Sequence, residues 1–372
     1  MTYLVIDSEN TTWSKGDPHD QRNKNVCWSF KESGKEAVCT NEKKEVREAV
    51  QRAGTLVGFH LGYDLEWLWK EGIDTEGKKF FCCQVAEFVL NSYTTPYPSL
   101  NDVAQKYLNR QKLDVVEKEY WSKGINTDQI PWDILAEYAR RDVELTEAVY
   151  LKQLKLIPAS KQKLISLKMQ DMAVLAEMRF AGMKFDREYA EQQATRIRQE
   201  IQEIQSRLNL LHNIPSFNWA SGDHLSALLY GGEIVEKKRV PIGKYKSGAK
   251  VGENRYQIQE EVHSLPRLYK PIRGSELKKG GVWSTDEDTL KKLDDGTELI
   301  GGILKLRELS KLVGTYYEGI PELARESFWP EGYLYGNFNQ CVAATGRLSS
   351  SRPNLQNISG DALKMFTSRW EE

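Results

Sequence analysis

The sequence predicts a mixed α/β domain over residues 1–157 followed by a mostly α-helical region. Short runs rich in Val, Phe and Tyr alternate with amphipathic stretches as far as Ile157. Past Pro158 the pattern lengthens to helical periodicity, and strand signals nearly vanish. One segment interrupts this second region: residues 231–285 are rich in Gly, Lys and Pro and lack a clear period, which predicts an irregular or short-stranded insertion.

In chain order, YLVID, NVCWSFK and EAVCT are strand candidates, and NEKKEVREAVQRA is a helix with Asn41 placed to cap it. TLVGFH predicts another strand, and LGYDLEWLWKEG a helix closing near Gly72. Further helices fit CCQVAEFVLNSY, SLNDVAQKYL and IPWDILAEYARRDVELTEAVYLKQLKLI, where Pro131 suits a first helical turn. Beyond Pro158, helices are expected over about 160–181, closed by Gly182, over about 187–212, and over about 298–318.

A chain of 372 residues, 40% of them hydrophobic, can bury ample core in two or three domains. Its net charge is −1, yet residues 231–285 hold twelve Lys and Arg against six Asp and Glu, so a basic patch is expected on a nearly neutral protein. The start MTYLVIDSEN lacks the features of a signal peptide, and no 18-residue apolar run occurs, which points to a cytoplasmic protein without a membrane partner. The five cysteines show neither a C-x-x-C pair nor zinc-type spacing and are expected to be reduced thiols.

Asp7 and Glu9 stand two apart at the end of the first strand, so their carboxylates project from one face. Such a pair is most simply solvated, but a hard divalent cation would offset its repulsion. Asp64 follows a strand and opens a helix, where an acid also serves as a cap. Tyr138 and Asp142 lie four apart on one helical face, where Tyr138 alone would be an ordinary core aromatic. Taken in order, strand D-x-E, helix-start Asp and helical Y-x-x-x-D resemble the tyrosine subtype of the DEDD exonuclease superfamily. The resemblance implies an RNase H-like fold in which Asp7, Glu9, Asp64 and Asp142 hold two divalent ions, Mg²⁺ or else Mn²⁺, with Tyr138 orienting the attacking water. Paired ions suit an in-line phosphodiester displacement because they stabilise both attacking and leaving oxygens. His60 stands where many relatives have Asn, and Gln84 where they often have Asp.

A second resemblance follows. NQCVAATGRLSSSRPNLQNI, residues 339–358, is similar to the T-G-R-L-S-S-x-x-P-N-L-Q-N-I signature of family A DNA polymerases, with phage-type members the nearest. MQDMAVLAEMRFAGMKFD, SFNWASGDHLSALLY and KLRELSKLVGTYYEGIPEL also resemble that family. It implies a 3′-5′ exonuclease over 1–157, a thumb over 158–330 carrying the basic insertion, and the start of a palm over 331–372. Arg347, Asn354, Gln356 and Asn357 would contact DNA, with Ser349 and Ser350 as phosphate donors. Lys237, Lys238, Arg239, Lys244, Lys246 and Lys250 would act by phosphate neutralisation. Single-stranded bases would rest near Phe59, Tyr63 or Trp67. The family's palm acids and fingers would follow position 372, so the implied partners are primer-template DNA, a single-stranded 3′ end, and a second polypeptide supplying palm and fingers. The expected setting is a cytoplasm, that of a host cell if the gene is a phage's. The competing expectation is a non-catalytic DNA clamp or docking platform.

Overall fold

The structure, a computed structural model, describes residues 2–214, 217–248, 250–358, 360–368 and 370. It divides into two compact units, residues 1–187 together with 320–372, and residues 188–319.

The first unit is built on a five-stranded sheet. Strands β1 (Tyr3–Asn10), β2 (Asn25–Glu32) and β3 (Val38–Thr40) run antiparallel in sequence. Helix α1 (Lys43–Arg52) then leads to β4 (Thr55–Gly58), which pairs parallel with β1, and α2 (Leu61–Lys70) leads to β5 (Lys79–Cys82), parallel with β4. Parallel neighbours cannot be joined by a tight turn, and the two helices supply the crossovers. The resulting order, β3-β2-β1-β4-β5, puts β1 at the centre, and its Leu4, Val5 and Ile6 are buried as a continuous apolar run. This mixed sheet flanked by helices is the RNase H-like arrangement expected.

Helices α3 (Cys83–Leu90), α4 (Leu100–Leu108), α5 (Val115–Glu119) and α6 (Trp132–Leu156) follow. Ser99 caps α4 by accepting the Asp102 N–H at 3.0 Å. The long α6 buries Leu135, Tyr138, Ala139, Asp142, Val143 and Thr146, one helical stripe, and packs it across β2 and β1. Helix α7 (Ala159–Ala181) lies against α2 and α3. Its Arg179 reaches the Glu66 carboxylate of α2 and Asp17 Oδ1, the latter at 2.9 Å. The compact division therefore falls at Arg187, whereas the change of pattern at Pro158 marks only the start of a helix that still belongs to the first unit. A two-residue strand, β6 (Met183–Lys184), follows α7.

The second unit contains α8 (Arg187–Leu211), α9 (Gly222–Tyr230), the strands β7 (Gly232–Lys244) and β8 (Asn254–Leu265), α10 (Glu287–Leu293), and α11 (Glu298–Lys311) continued by a π-helical stretch over Leu312–Tyr317. Gly302 of α11 leaves room for Leu208 of α8, where an added Cβ would meet Leu208 Cδ1 at 3.0 Å. Back in the first unit, α12 (Gly319–Glu326) leads to β9 (Tyr333–Leu334), paired with β6, and then to β10 (Asn337–Asn339), paired with β11 (Ser349–Ser351).

Three elements depart from expectation. The first part of the segment predicted to be irregular, residues 232–265, is an antiparallel hairpin with strands of 13 and 12 residues, whose period of two is masked because charged side chains occupy both faces, and residues 266–285 are irregular. β5 carries only four residues, KFFC, and its apolar run merges in sequence with the helix after it. Glu42 rather than Asn41 occupies the cap position of α1, and neither side chain bonds the helix end: the Glu42 N–H is instead held by Thr40 Oγ1 at 3.0 Å.

Candidate metal centre

β1 is pleated normally as far as Glu9, opposite Cys27, and the register then shifts between Glu9 and Asn10. A bulge at a strand end re-aims the side chains before it. Asp7 and Glu9 point toward α6, and ligand oxygens of Asp7, Glu9 and Asp142 all lie within 4.8 Å of one another. Asp142 reaches them because it follows Tyr138 by four residues on the buried stripe of α6.

The group is strained electrostatically. Burial, then the Asp142 charge, pushes the Asp7 carboxyl up to about 7. Burial and Asp7 push Glu9 well above the usual carboxylate range, and burial also raises Asp142. Asp142 Oδ1 is buried and has no hydrogen-bond partner among the described residues. Three converging carboxylates, one with an orphaned oxygen, are a donor set for a hard divalent cation, so the residues fit the metal that the exonuclease resemblance implies.

Asp64 stands in the first turn of α2, as expected, but outside that tight group. Its Oδ1 accepts the Ser8 N–H at 3.1 Å and the Ser8 hydroxyl at 2.8 Å. It remains close enough for Asp7, after burial, to raise its pKa well above the ordinary value. Tyr138 packs edge-on against Trp121 at 5.8 Å, and burial, with Glu9 next, keeps its phenol protonated.

One participant was missed in the sequence. Lys112 lies in the loop between α4 and α5, its Nζ 2.5 Å from Asp142 Oδ2 and 3.1 Å from the Tyr138 hydroxyl. A lone lysine in NRQKLD carries no periodic or motif signal, and only the tertiary fold brings it to the acids. The departures from the family pattern fall nearby: His60 and Gln84 line a cavity of about 520 Å³ together with Tyr63 and Arg179. Trp67 is fully buried in the sheet core, which removes it from the residues on which bases were expected to rest.

Residues 7–157 match the family model described as 3′-5′ exonuclease, a span that holds every one of the acids, and residues 261–369 match the model for DNA polymerase family A. Over these two spans the chain is similar to the exonuclease and polymerase parts of family A DNA polymerases. Among curated relatives, it is 30% identical over 241 residues to DNA polymerase I of Chloroflexus aurantiacus, covering 64% of this chain and 22% of that one. It is 28% identical over 296 residues to DNA polymerase I of Bacillus caldotenax, covering 78% and 28%. The matches thus span roughly a quarter of the length of these relatives. Among solved structures, the POL domain of Pol1 from M. smegmatis, in complex with DNA primer-template and dNTP, superposes with a TM-score of 0.65 at 16% identity. That superposition covers 97% of this chain and 53% of the other, and it shows a shared fold.

In the family A region, the residues expected to touch DNA divide by what they already bond. Ser350 is buried, donates to the Pro353 carbonyl at 3.3 Å and accepts the Leu355 N–H at 3.2 Å, so it braces its own loop. Asn354 accepts the Gln356 N–H at 3.1 Å, and Ser349 sits on β11 opposite Asn339. Arg347, Gln356 and Asn357 are exposed. On the hairpin of the second unit, Lys237 pairs with Glu260 at 3.2 Å, Lys238 pairs with Glu261 at 2.5 Å, and Arg239 lies over the Tyr256 ring at 4.4 Å. Lys244, Lys246 and Lys250, at the far end, are exposed and make no ion pair among the described residues. No helix among the described residues is long and apolar enough to cross a membrane.

Proposed function

We propose that this chain is a metal-dependent 3′-5′ exonuclease that removes nucleotides from a single-stranded DNA end in the service of a family A polymerase, with the second unit guiding the duplex. The convergence of Asp7, Glu9 and Asp142 beside the Tyr138 phenol carries the proposal. Asp7, Glu9 and Asp142 would hold one divalent ion directly, with Asp64 joining Asp7 at a second. Ions bound there would supply charge stabilisation for the phosphodiester's attacking and leaving oxygens. Tyr138, protonated and one turn before Asp142, orients the attacking water by hydrogen bonding and presents no competing negative charge. Ser8 fixes Asp64 through two bonds to one oxygen. Magnesium is the expected ion, with manganese as a substitute.

All these residues fall between positions 7 and 142, within the span that matches the exonuclease family. Synthesis is a separate matter, since palm acids and fingers would have to come from outside these 372 residues. Exposed Arg347, Gln356 and Asn357 are proposed to meet the primer-template backbone, and Lys244, Lys246 and Lys250 to neutralise phosphates.

A 5′-labelled single strand incubated with the chain and Mg²⁺ should shorten from its 3′ end. Asp7→Ala should abolish the shortening without loss of fold, and Tyr138→Phe should slow it by about a hundredfold. Undiminished cleavage by the Asp7→Ala protein would sink the assignment. A parent chain that binds the strand but never shortens it would establish the clamp in its place.

A further inference from the structure

Lys112 contacts two of the residues assigned to the nuclease, yet neither its sequence context nor its place in the chain marks it. Its position is fixed from both ends. The Lys112 N–H is held by Asn101 Oδ1 of α4 at 3.1 Å, which anchors the loop, and its ammonium lies between Asp142 Oδ2 at 2.5 Å and the Tyr138 hydroxyl at 3.1 Å. The side chain is 30% exposed, whereas the carboxylate it pairs with is 5% exposed, so the ammonium closes the acid group from the solvent side. Burial disfavours a charged lysine here, but Asp142, Tyr138 and Asp7 outweigh it and hold the amine well above the ordinary lysine range.

An ammonium at hydrogen-bond distance from Asp142 and a divalent ion held by the same carboxylate would be two cations at one anion. Their repulsion in a buried site is much larger than in water. We infer that Lys112 is a built-in counter-ion of the acid group: it occupies Asp142 until a divalent ion displaces it, and once displaced it remains on the Tyr138 hydroxyl and positions that phenol. The inference rests on the metal-dependent nuclease proposed above. Lys112 thereby sets how much free metal is needed to load the site, and it acts on the chemistry through Tyr138.

The test is Mn²⁺ binding to the full chain without DNA, followed by the electron paramagnetic resonance of free Mn²⁺, for the parent, Lys112→Met, Lys112→Arg and Asp142→Asn proteins. Lys112→Met should bind Mn²⁺ more tightly, by about tenfold or more, because no cation then competes with the ion for Asp142. Lys112→Arg, which keeps the charge, should stay near the parent. At saturating Mn²⁺, Lys112→Met should degrade a labelled single strand more slowly than the parent, since the phenol has lost its partner. A purely structural lysine would give no tightening. Equal or weaker Mn²⁺ binding by Lys112→Met overturns the inference while leaving the metal site standing, provided Asp142→Asn weakens binding. Mn²⁺ uptake indifferent to Asp142→Asn would overturn the metal reading itself, so the two failures are distinct.

Discussion

Asp7 shows how a single side chain reports the state of the whole acid group. Its carboxyl is raised from 3.8 to about 7 by burial and by Asp142. A group raised in the folded state contributes stability that is complete below its unfolded value and is lost as pH rises through its folded value. The metal-free melting temperature should therefore fall between about pH 4 and pH 7, and Asp7→Asn should flatten that fall. His19, held down to about 3 by burial and by Arg179, works in the opposite sense, so the comparison with Asp7→Asn is what isolates the acid. Added Mg²⁺ should raise the melting temperature at pH 7.5 in the parent and not in Asp7→Asn. A profile identical in both proteins would mean that Asp7 ionises freely. At this scale the local spacings made Asp7 with Glu9, and Tyr138 with Asp142, legible as pairs sharing a face, and only the resemblance to the DEDD exonucleases joined them into one group. Lys112 was not legible, because a lysine without a partner in sequence looks the same as any solvated one. Asp64 was half legible: its helix-start position was foreseen, its bonds to Ser8 were not.

Among the elements, α7 illustrates a terminus fixed by a single residue. Gly182 ends it at φ 66°, ψ 176°, and an added Cβ would lie 2.6 Å from Tyr335 Cε1. That backbone region is nearly exclusive to glycine, and the neighbour is a rigid ring, so Gly182→Ala should cost about 1–3 kcal/mol in urea unfolding. A loss below the measurement error would mean that α7 can end another way. Gly182 was readable as a stop signal, and most helices of the first 157 residues were readable from their apolar stripes. The β7–β8 hairpin was not, because alternation can be detected only where one face is polar and the other apolar. Here Val235 and Lys237 share one face, and Glu236 and Lys238 the other. Short α5 escaped notice for a different reason: five residues hold barely one helical period.

At the scale of the molecule, charge is distributed less generously than the composition suggests. The surplus of basic residues over 231–285 is partly cancelled in place, since Lys237 and Lys238 already face glutamates across the hairpin. Duplex binding should consequently depend more on Lys244, Lys246 and Lys250. Neutralising these three should reduce the slope of log affinity against log salt by up to about 0.9 for each phosphate left without its lysine, and neutralising Lys237 and Lys238 by less. An equal reduction from both sets would show that the cross-strand pairs open on DNA. The change of pattern at Pro158 coincides with the end of the exonuclease match at residue 157, whereas the compact division at Arg187 was not legible, because packing of α7 on α2 and α3 is a long-range fact. The first unit is also discontinuous in sequence, with β6 waiting for β9 across the entire second unit. During synthesis, then, the acid group is complete once Asp142 has cleared the ribosome, long before Leu334 arrives to pair with Met183. The nascent chain would hold its acid group well before the strand that completes its unit.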